Sequence, residues 1–368
     1  SIGARKVHVS TTGRHVWPYE TWEKAATNVV DAFKSLVLAE GQTTEVVVDD
    51  GTYPVEALWV QISSPIHFHS VNGPEKTILT AANSDAKYKR ILMMDHADAI
   101  CEGFTMTDGY CYSGDGAGPG ALRLLSGTVR NCIIRDNQGA DNSGGVDMQG
   151  GTLDGCRILN NKACRYDNSD VGVGAGIRIS KKDAKILNCV ISNNTARVQG
   201  GGIYVDAGLT GVVVSNCLIA GNINGMWSSN GSNYSGRNGS AIYALSGLFT
   251  HNVITGNYCQ AYRNSNGTMM TGEGTVHLGG TAELRNSLVA RNLSAWGAQG
   301  VIMNSANAKV VNCTITGNGQ DGYAYKDPTV AGSSRLTAGT LVNTIVWGDC
   351  SELTPVLADA VTQVCNWT

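Results

Sequence analysis

A seven-residue segment recurs at uneven intervals, and that limits the chain to a solenoid. Asn131-Cys132-Ile133-Ile134-Arg135-Asp136-Asn137 has counterparts starting at 155, 188, 216, 251, 286, 312 and 343. The start-to-start spacings are therefore 24, 33, 28, 35, 35, 26 and 31 residues. A constant segment between gaps of changing length means stacked strands joined by loops free to grow. Residues 103–109 look like an early, degenerate copy. A second strand precedes each copy, as in Gly176-Ile177-Arg178-Ile179, Gly202-Ile203-Tyr204-Val205 and Ala241-Ile242-Tyr243-Ala244. Its apolar residues alternate, so one face is buried. A short third segment lies between, for example Val212-Val213-Val214. Three short strands per coil predict an all-β chain, a right-handed single-stranded parallel β-helix of about eight coils.

Composition agrees where it bears on this. There are 46 glycines against 7 prolines in 368 residues, which points to many tight turns without a collagen period. Charged residues make up 15% and the net charge is -3, with no basic tract, so nucleic acid is not an expected partner. No apolar run approaches the roughly 18 residues of a membrane span. The chain starts at Ser1 without a signal peptide, as a mature secreted protein or a trimmed one would. Eleven cysteines leave at least one unpaired. Cys132, Cys156, Cys189, Cys217 and Cys313 share one repeat position and read as small apolar core residues. Cys111, Cys164, Cys259, Cys350 and Cys365 are the disulfide candidates. The asparagines that open and close each copy are expected to stack into ladders.

Residues 20–40 are expected to form a capping helix, with Trp22, Ala25, Ala26, Val29, Val30, Phe33, Leu36 and Val37 on one face. Thr21 is its expected N-cap and Gly41 its stop. The domain reading is an N-terminal cap over 1–65 and β-helix coils over 66–368. The tail Val361-Thr362-Gln363-Val364-Cys365-Asn366-Trp367 reads as the start of a further strand, so the natural chain is expected to continue past Thr368.

Gly200-Gly201-Gly202-Ile203-Tyr204 followed by Asn216-Cys217-Leu218-Ile219-Ala220-Gly221-Asn222 resembles the repeat of polymorphic outer-membrane proteins and related adhesins. The segments Val16-Trp17-Pro18-Tyr19-Glu20-Thr21-Trp22 and Ser70-Val71-Asn72-Gly73-Pro74-Glu75-Lys76-Thr77 resemble secreted bacterial β-helix proteins of the pectin-lyase-like superfamily. The resemblance covers nearly the whole chain and implies the fold and an extracellular or cell-surface location in a bacterium. For activity it leaves lyases, hydrolases, epimerases and non-enzymatic adhesins open. The Asn-Thr-Asp, Asp-Asp and Gly-His-Gly set of polygalacturonases finds no match, nor does the Asp-Pro-His signature of alginate epimerases.

If the repeats stack in register, the outward residues of the preceding strand form a column: Arg123, Asp147, Arg178, Tyr204, Tyr243, His277 and Ile302. One step earlier runs a column of small residues: Ala121, Gly145, Gly176, Gly202, Ala241, Thr275 and Gly300. These are expected to floor a groove and let a ligand approach the backbone. The long insertions, roughly 162–175, 223–240, 258–274 and 319–332, all fall just before this strand. They carry Tyr166, Trp227, Tyr234, Tyr258, Tyr262, Tyr323 and Tyr325, and a shorter loop adds Trp296. Aromatic rings among polar residues suit sugars, so the expected partner is a polysaccharide or cell-surface glycan. Arg123, Tyr166, Trp227, Tyr234, Tyr258, Tyr262 and Trp296 are the candidate substrate-binding residues.

Elimination on an acidic glycan needs a cation at the developing enolate and a base near the acidic C–H. Arg178, His277, Tyr204, Tyr243 and Asp147 are the candidate catalytic residues. A hydrolase would need paired carboxylates, for which Asp167, Asp170, Asp147 and Glu273 are candidates. Asp167-Asn168-Ser169-Asp170 gathers oxygen ligands of the kind that hold Ca²⁺. The ordinary reading of the same tetrapeptide, an Asx-type turn, is the favoured one. A non-enzymatic adhesin or structural module is the competing function.

Overall fold

The computed structural model describes residues 3–38, 43–55, 59–81, 88–111, 118–140, 142–163, 172–225, 238–260, 262–263, 269–270, 274–294, 300–318, 335–336 and 338–347. The chain is a right-handed parallel β-helix. Each central coil carries the three expected strands, all paired in parallel with their counterparts in the next coil. Ile203–Val205 pairs with Ile242–Ala244, Val213–Ser215 with Leu248–Thr250, and Leu218–Ala220 with Val253–Thr255. A fourth, two-residue strand follows, as in Ile223–Asn224 against Tyr258–Cys259. We refer to these as the first to fourth sheets.

The repeated segment encodes the corners of the coil. Its first residue is left-handed in every copy: Asn131, Gly155, Asn188, Asn216, His251, Asn286, Asn312 and Asn343 all have positive φ. Its sixth residue is left-handed too, at Asp136, Asn160, Asn193, Gly221, Gly256, Arg291 and Gly317. Asn, Asp and Gly tolerate that region best, which is why they recur there. The two corners bracket the third sheet, whose middle residues Ile134, Ile158, Ile191, Ile219, Ile254, Val289 and Ile315 are all buried.

The closing asparagines form the expected ladder. The side-chain amides of Asn137, Asn161, Asn194, Asn222, Asn257 and Asn292 each donate to the carbonyl oxygen of the next asparagine, ending at Asn318, over 2.9–3.0 Å. Each amide also donates to a main-chain carbonyl of the preceding coil, as Asn222 does to Ile191 at 2.9 Å. The opening asparagines behave differently. They lie on the surface, with short runs of contacts such as Asn216 donating to Asn188 and Asn188 to Asp154, each at 2.7 Å. Cys132, Cys156, Cys189, Cys217 and Cys313 are buried free thiols, continuing the column that Asn252, Ser287 and Thr344 share.

Three expectations require correction here. The helix spans only Val29–Lys34, capped by the Asn28 side chain on the Asp31 amide rather than by Thr21. Thr21 instead accepts from the Lys24 amide in a turn, and Trp22 lies off the helix. The apolar spacing was real, but extended chain and turns bury Ala25 and Ala26 equally well, with Ala26 bridged to Val9. Gly41 lies outside the described residues. Next, Cys111 and Cys259, expected as disulfide candidates, are free thiols. Both are buried on fourth-sheet strands: Arg90 Nη2 is 3.2 Å from the Cys111 sulfur, and the Cys259 thiol donates to Gly274 at 3.1 Å. Cys164, Cys350 and Cys365 lie outside the described residues. Finally, the stack is longer than the repeat. The second sheet begins with Lys6–Val9, pairs it with Thr44–Val48, and continues through Ile66–Ser70 into the repeat-bearing coils. In this early core Phe33 meets Phe68 edge-on, with centroids 5.1 Å apart, and Phe68 stacks on Phe104 at 4.3 Å.

Candidate functional site

The first sheet aligns the predicted column residue by residue. Arg123 pairs with Asp147, Asp147 with Arg178, Arg178 with Tyr204, Tyr204 with Tyr243, Tyr243 with His277, and His277 with Ile302. Residues up to 179 positions apart in the chain (302 minus 123) thus share one row. The row is half-buried rather than open. Arg123, Arg178, Tyr204 and Tyr243 are partly exposed, whereas Asp147 and His277 are 5% and 4% exposed and Ile302 is buried.

Charges on the row are already paired. Arg123 Nε donates to Asp147 Oδ2 at 3.1 Å, and the Gln149 amide donates to the same oxygen at 3.2 Å. Arg178 Nη2 donates to Asp206 Oδ2 at 3.1 Å. The three rings stack on one another: Tyr204 on Tyr243 at 5.3 Å and 3°, Tyr243 on His277 at 4.5 Å and 12°. Ring faces are therefore largely spent within the row, and the row offers edges outward. Burial, then the charge of Asp206, pushes the Tyr204 phenol above the ordinary tyrosine value. Burial also pushes Tyr243 up, against a hydrogen bond with Gln199.

The small-residue column does not floor this row, which is a second correction to the groove. Ala121, Gly145, Gly176, Gly202, Ala241, Thr275 and Gly300 are all buried. A side chain at Gly145, Gly176 or Gly202 would meet the amide of Asn161, Asn194 or Asn222 at 3.0–3.1 Å and a neighbouring carbonyl at 2.5–2.7 Å. Smallness there makes room for the asparagine ladder inside, not for a ligand outside. A different glycine serves the row. Gly200, at φ +62, lies where a Cβ would come within 2.8 Å of the Tyr204 Cβ, so the incoming chain passes tightly beside the row.

Among the other candidates, Tyr258 is half-buried on the fourth sheet beside Ile223 and Leu293, away from the row. Tyr262 belongs to a two-stranded hairpin, Tyr262–Arg263 with Met269–Met270, and its side chain lies outside the description. Tyr166, Trp227, Tyr234, Trp296, Asp167, Asp170 and Glu273 also lie outside the described residues. Sequence reasoning missed Asp206, Gln149 and Gln199. Asp206 stands two positions after Tyr204, so alternation would have placed it beside the row. It also missed Trp59, over which Arg90 and Arg123 sit with guanidinium carbons 4.9 and 5.5 Å from the ring centroid. No periodic signal marks Trp59.

The stacked parallel strands make the chain a single-stranded right-handed parallel β-helix. Residues 114–241 match the family model described as right handed beta helix region. Among solved structures, the chain is similar to the pectate lyase Pel9A at 15% identity, covering 98% of this chain and 79% of that one, with a TM-score of 0.50. A rhamnogalacturonan lyase is similar at 15% identity over 95% of this chain and 83% of that one, with a TM-score of 0.47. No curated protein sequence matches the chain. Among the described residues, no helix is long and apolar enough to cross a membrane.

Proposed function

We propose that the protein binds an extended polysaccharide along the first-sheet flank, outside the cell or at its surface. One observation carries this reading: polar and aromatic side chains from consecutive coils share a single row, Arg178, Tyr204, Tyr243 and His277. Rungs rise by about 4.8 Å, close to the advance of one pyranose unit in an extended chain. A linear glycan lying along the axis would meet exposed side-chain edges on the successive rungs of Arg178, Tyr204 and Tyr243, with the nearly covered His277 on the next. Phenol and imidazole edges are donors and acceptors for sugar hydroxyls. The likeness to the pectate lyase named above supports a polysaccharide as the ligand class. Affinity electrophoresis in gels cast with neutral and acidic polysaccharides tests the reading. The Tyr204→Ala/Tyr243→Ala double variant should lose most of any retardation while keeping the wild-type circular dichroism. Equal retardation of the two proteins by every retarding glycan would overturn it.

Elimination on a uronate-containing glycan is a second reading, favoured by Arg178 and His277 standing on the same row. The raised phenols are poor bases at neutral pH, so His277 would take the base role; Arg178, three rungs or about 14 Å away, would hold an acidic group of a neighbouring sugar unit rather than of the reacting one. Absorbance of the unsaturated product, followed with a uronate panel with and without Ca²⁺, separates elimination from binding alone. A binder without turnover would be an adhesin-like module.

A further inference from the structure

The third sheet carries an exposed apolar stripe that the proposed glycan flank does not use. Its outward first positions run Arg157, Val190, Leu218, Val253, Leu288, Thr314, Ile345 in register. Ten large apolar side chains stand exposed among the described residues, and four of them occupy this one position: Leu218, Val253, Leu288 and Ile345, at 37–56%. The parallel row two residues on is small and uncharged: Ser192, Ala220, Thr255, Ala290, Thr316. Around the corner, the fourth sheet adds Ile223, Tyr258 and Leu293. Charges mark the limits: the Arg157–Glu75 ion pair closes the N-terminal end, and Arg291 sits at the corner beside Leu293. We propose that this face is a self-association surface that joins two copies of the chain side by side about a two-fold axis.

Three features favour a second copy over another occupant. Aliphatic side chains whose neighbouring cations are only Arg157, already ion-paired to Glu75, and Arg291 at the corner suit neither sugar rings nor an anionic surface. A flat row with one side chain per rung is best matched by a row of the same pitch, which an identical sheet supplies at the usual face-to-face spacing of about 10 Å. Six rungs across these rows cover on the order of 500 Å² per copy, so two copies bury roughly 1,000 Å², enough for a weak, specific dimer. An isologous contact pairs residue i with j and j with i. With the axis at mid-row, Val253 faces Leu288 of the other copy, and Leu218 faces Thr314.

Sedimentation velocity on the full chain over about 1 to 300 µM reads the equilibrium directly. The wild type should shift from monomer to dimer across that range. Val253→Lys and Leu288→Asp, each exposed and so tolerated by the fold, should each weaken the dimer at least tenfold. The Val253→Lys/Leu288→Asp double variant should recover it, because the axis brings opposite charges together twice. Val71→Lys, on a distant turn, should leave it unchanged. A wild type that stays monomeric, or a dimer indifferent to both single changes, overturns the proposal. Failure of the double variant to regain association overturns the two-fold arrangement. None of these readouts involves glycan, so the outcome stands apart from that of the flank.

Discussion

Asn222 illustrates how much one side chain does in a ladder. It accepts from the Asn194 backbone and side chain at 3.0 Å each, and donates to Ile191 and Asn257 at 2.9 Å each. Asn222→Ala leaves several of these buried groups without partners, each unmade bond costing about 1–3 kcal/mol. Loss of about 3 kcal/mol in chemical denaturation is the expected result, and a change below about 1 kcal/mol would show that the ladder is dispensable. Arg291 is the opposite case. It holds φ +57 where its counterparts are Asn, Asp or Gly. Left-handed backbone costs an ordinary residue about 1–2 kcal/mol, so Arg291→Asn should stabilise the protein by about 1 kcal/mol. A lowered denaturation midpoint would mean that the arginine side chain contributes more than its backbone costs.

At the scale of the element, the N-terminal rungs are the pH-sensitive part. His8 packs edge-on against Trp22, and His67 stacks on His69 at 4.3 Å. Burial holds His8 and His69 below the ordinary histidine value, Lys6 adding to this at His8 and His67 at His69. Both bind protons less readily folded than unfolded, so stability falls as pH drops through about 6.5. Glu45 is held low by its hydrogen bond with Lys6. At Glu102 burial works the other way but is outweighed by the bonds from Arg130 and His67. Their contribution is complete above the ordinary carboxylate range and is lost as pH falls through the folded values. Hydrogen exchange at pH 7 and pH 5 should therefore show the Lys6–Val9 and Thr44–Val48 amides losing protection, after correction for intrinsic rates, while Val213–Ser215 holds. Uniform loss along the chain would contradict this.

For the whole molecule, stability passes from rung to neighbouring rung, and a solenoid frays from its ends. The buried thiols sample that axis in order: Cys101, Cys132, Cys156, Cys189, Cys217, Cys313. Burial pushes the Cys132 thiol well above its usual value, and Cys156, Cys189 and Cys217 are pushed up by hydrogen bonds between neighbouring thiols as well as by burial. Alkylation in native buffer should be slow at all of them. In mild denaturant Cys101 and Cys313 should label before Cys156 and Cys189, as peptide mass mapping would show. Simultaneous labelling would instead indicate a single cooperative unit.

The repeat determined on its own the coil, the rung-to-rung register, the buried cysteine column and the asparagine ladder. These depend on local backbone preference and on alternation, and both are written in consecutive residues. The alignment of Arg178, Tyr204, Tyr243 and His277 follows from that register alone. Alternation misled at the corners. Gly145, Gly176 and Gly202 count as outward by parity, yet the chain turns between the fourth and first sheets and aims those positions at the asparagines inside. Residues 20–40 misled because helix and turn can bury the same apolar spacing, and only packing against Val9 and the early rungs chose between them. Tertiary structure alone decided that the row's arginines are ion-paired and its rings stacked on each other. Those contacts depend on distances between coils, set by side chains that no local pattern brings together.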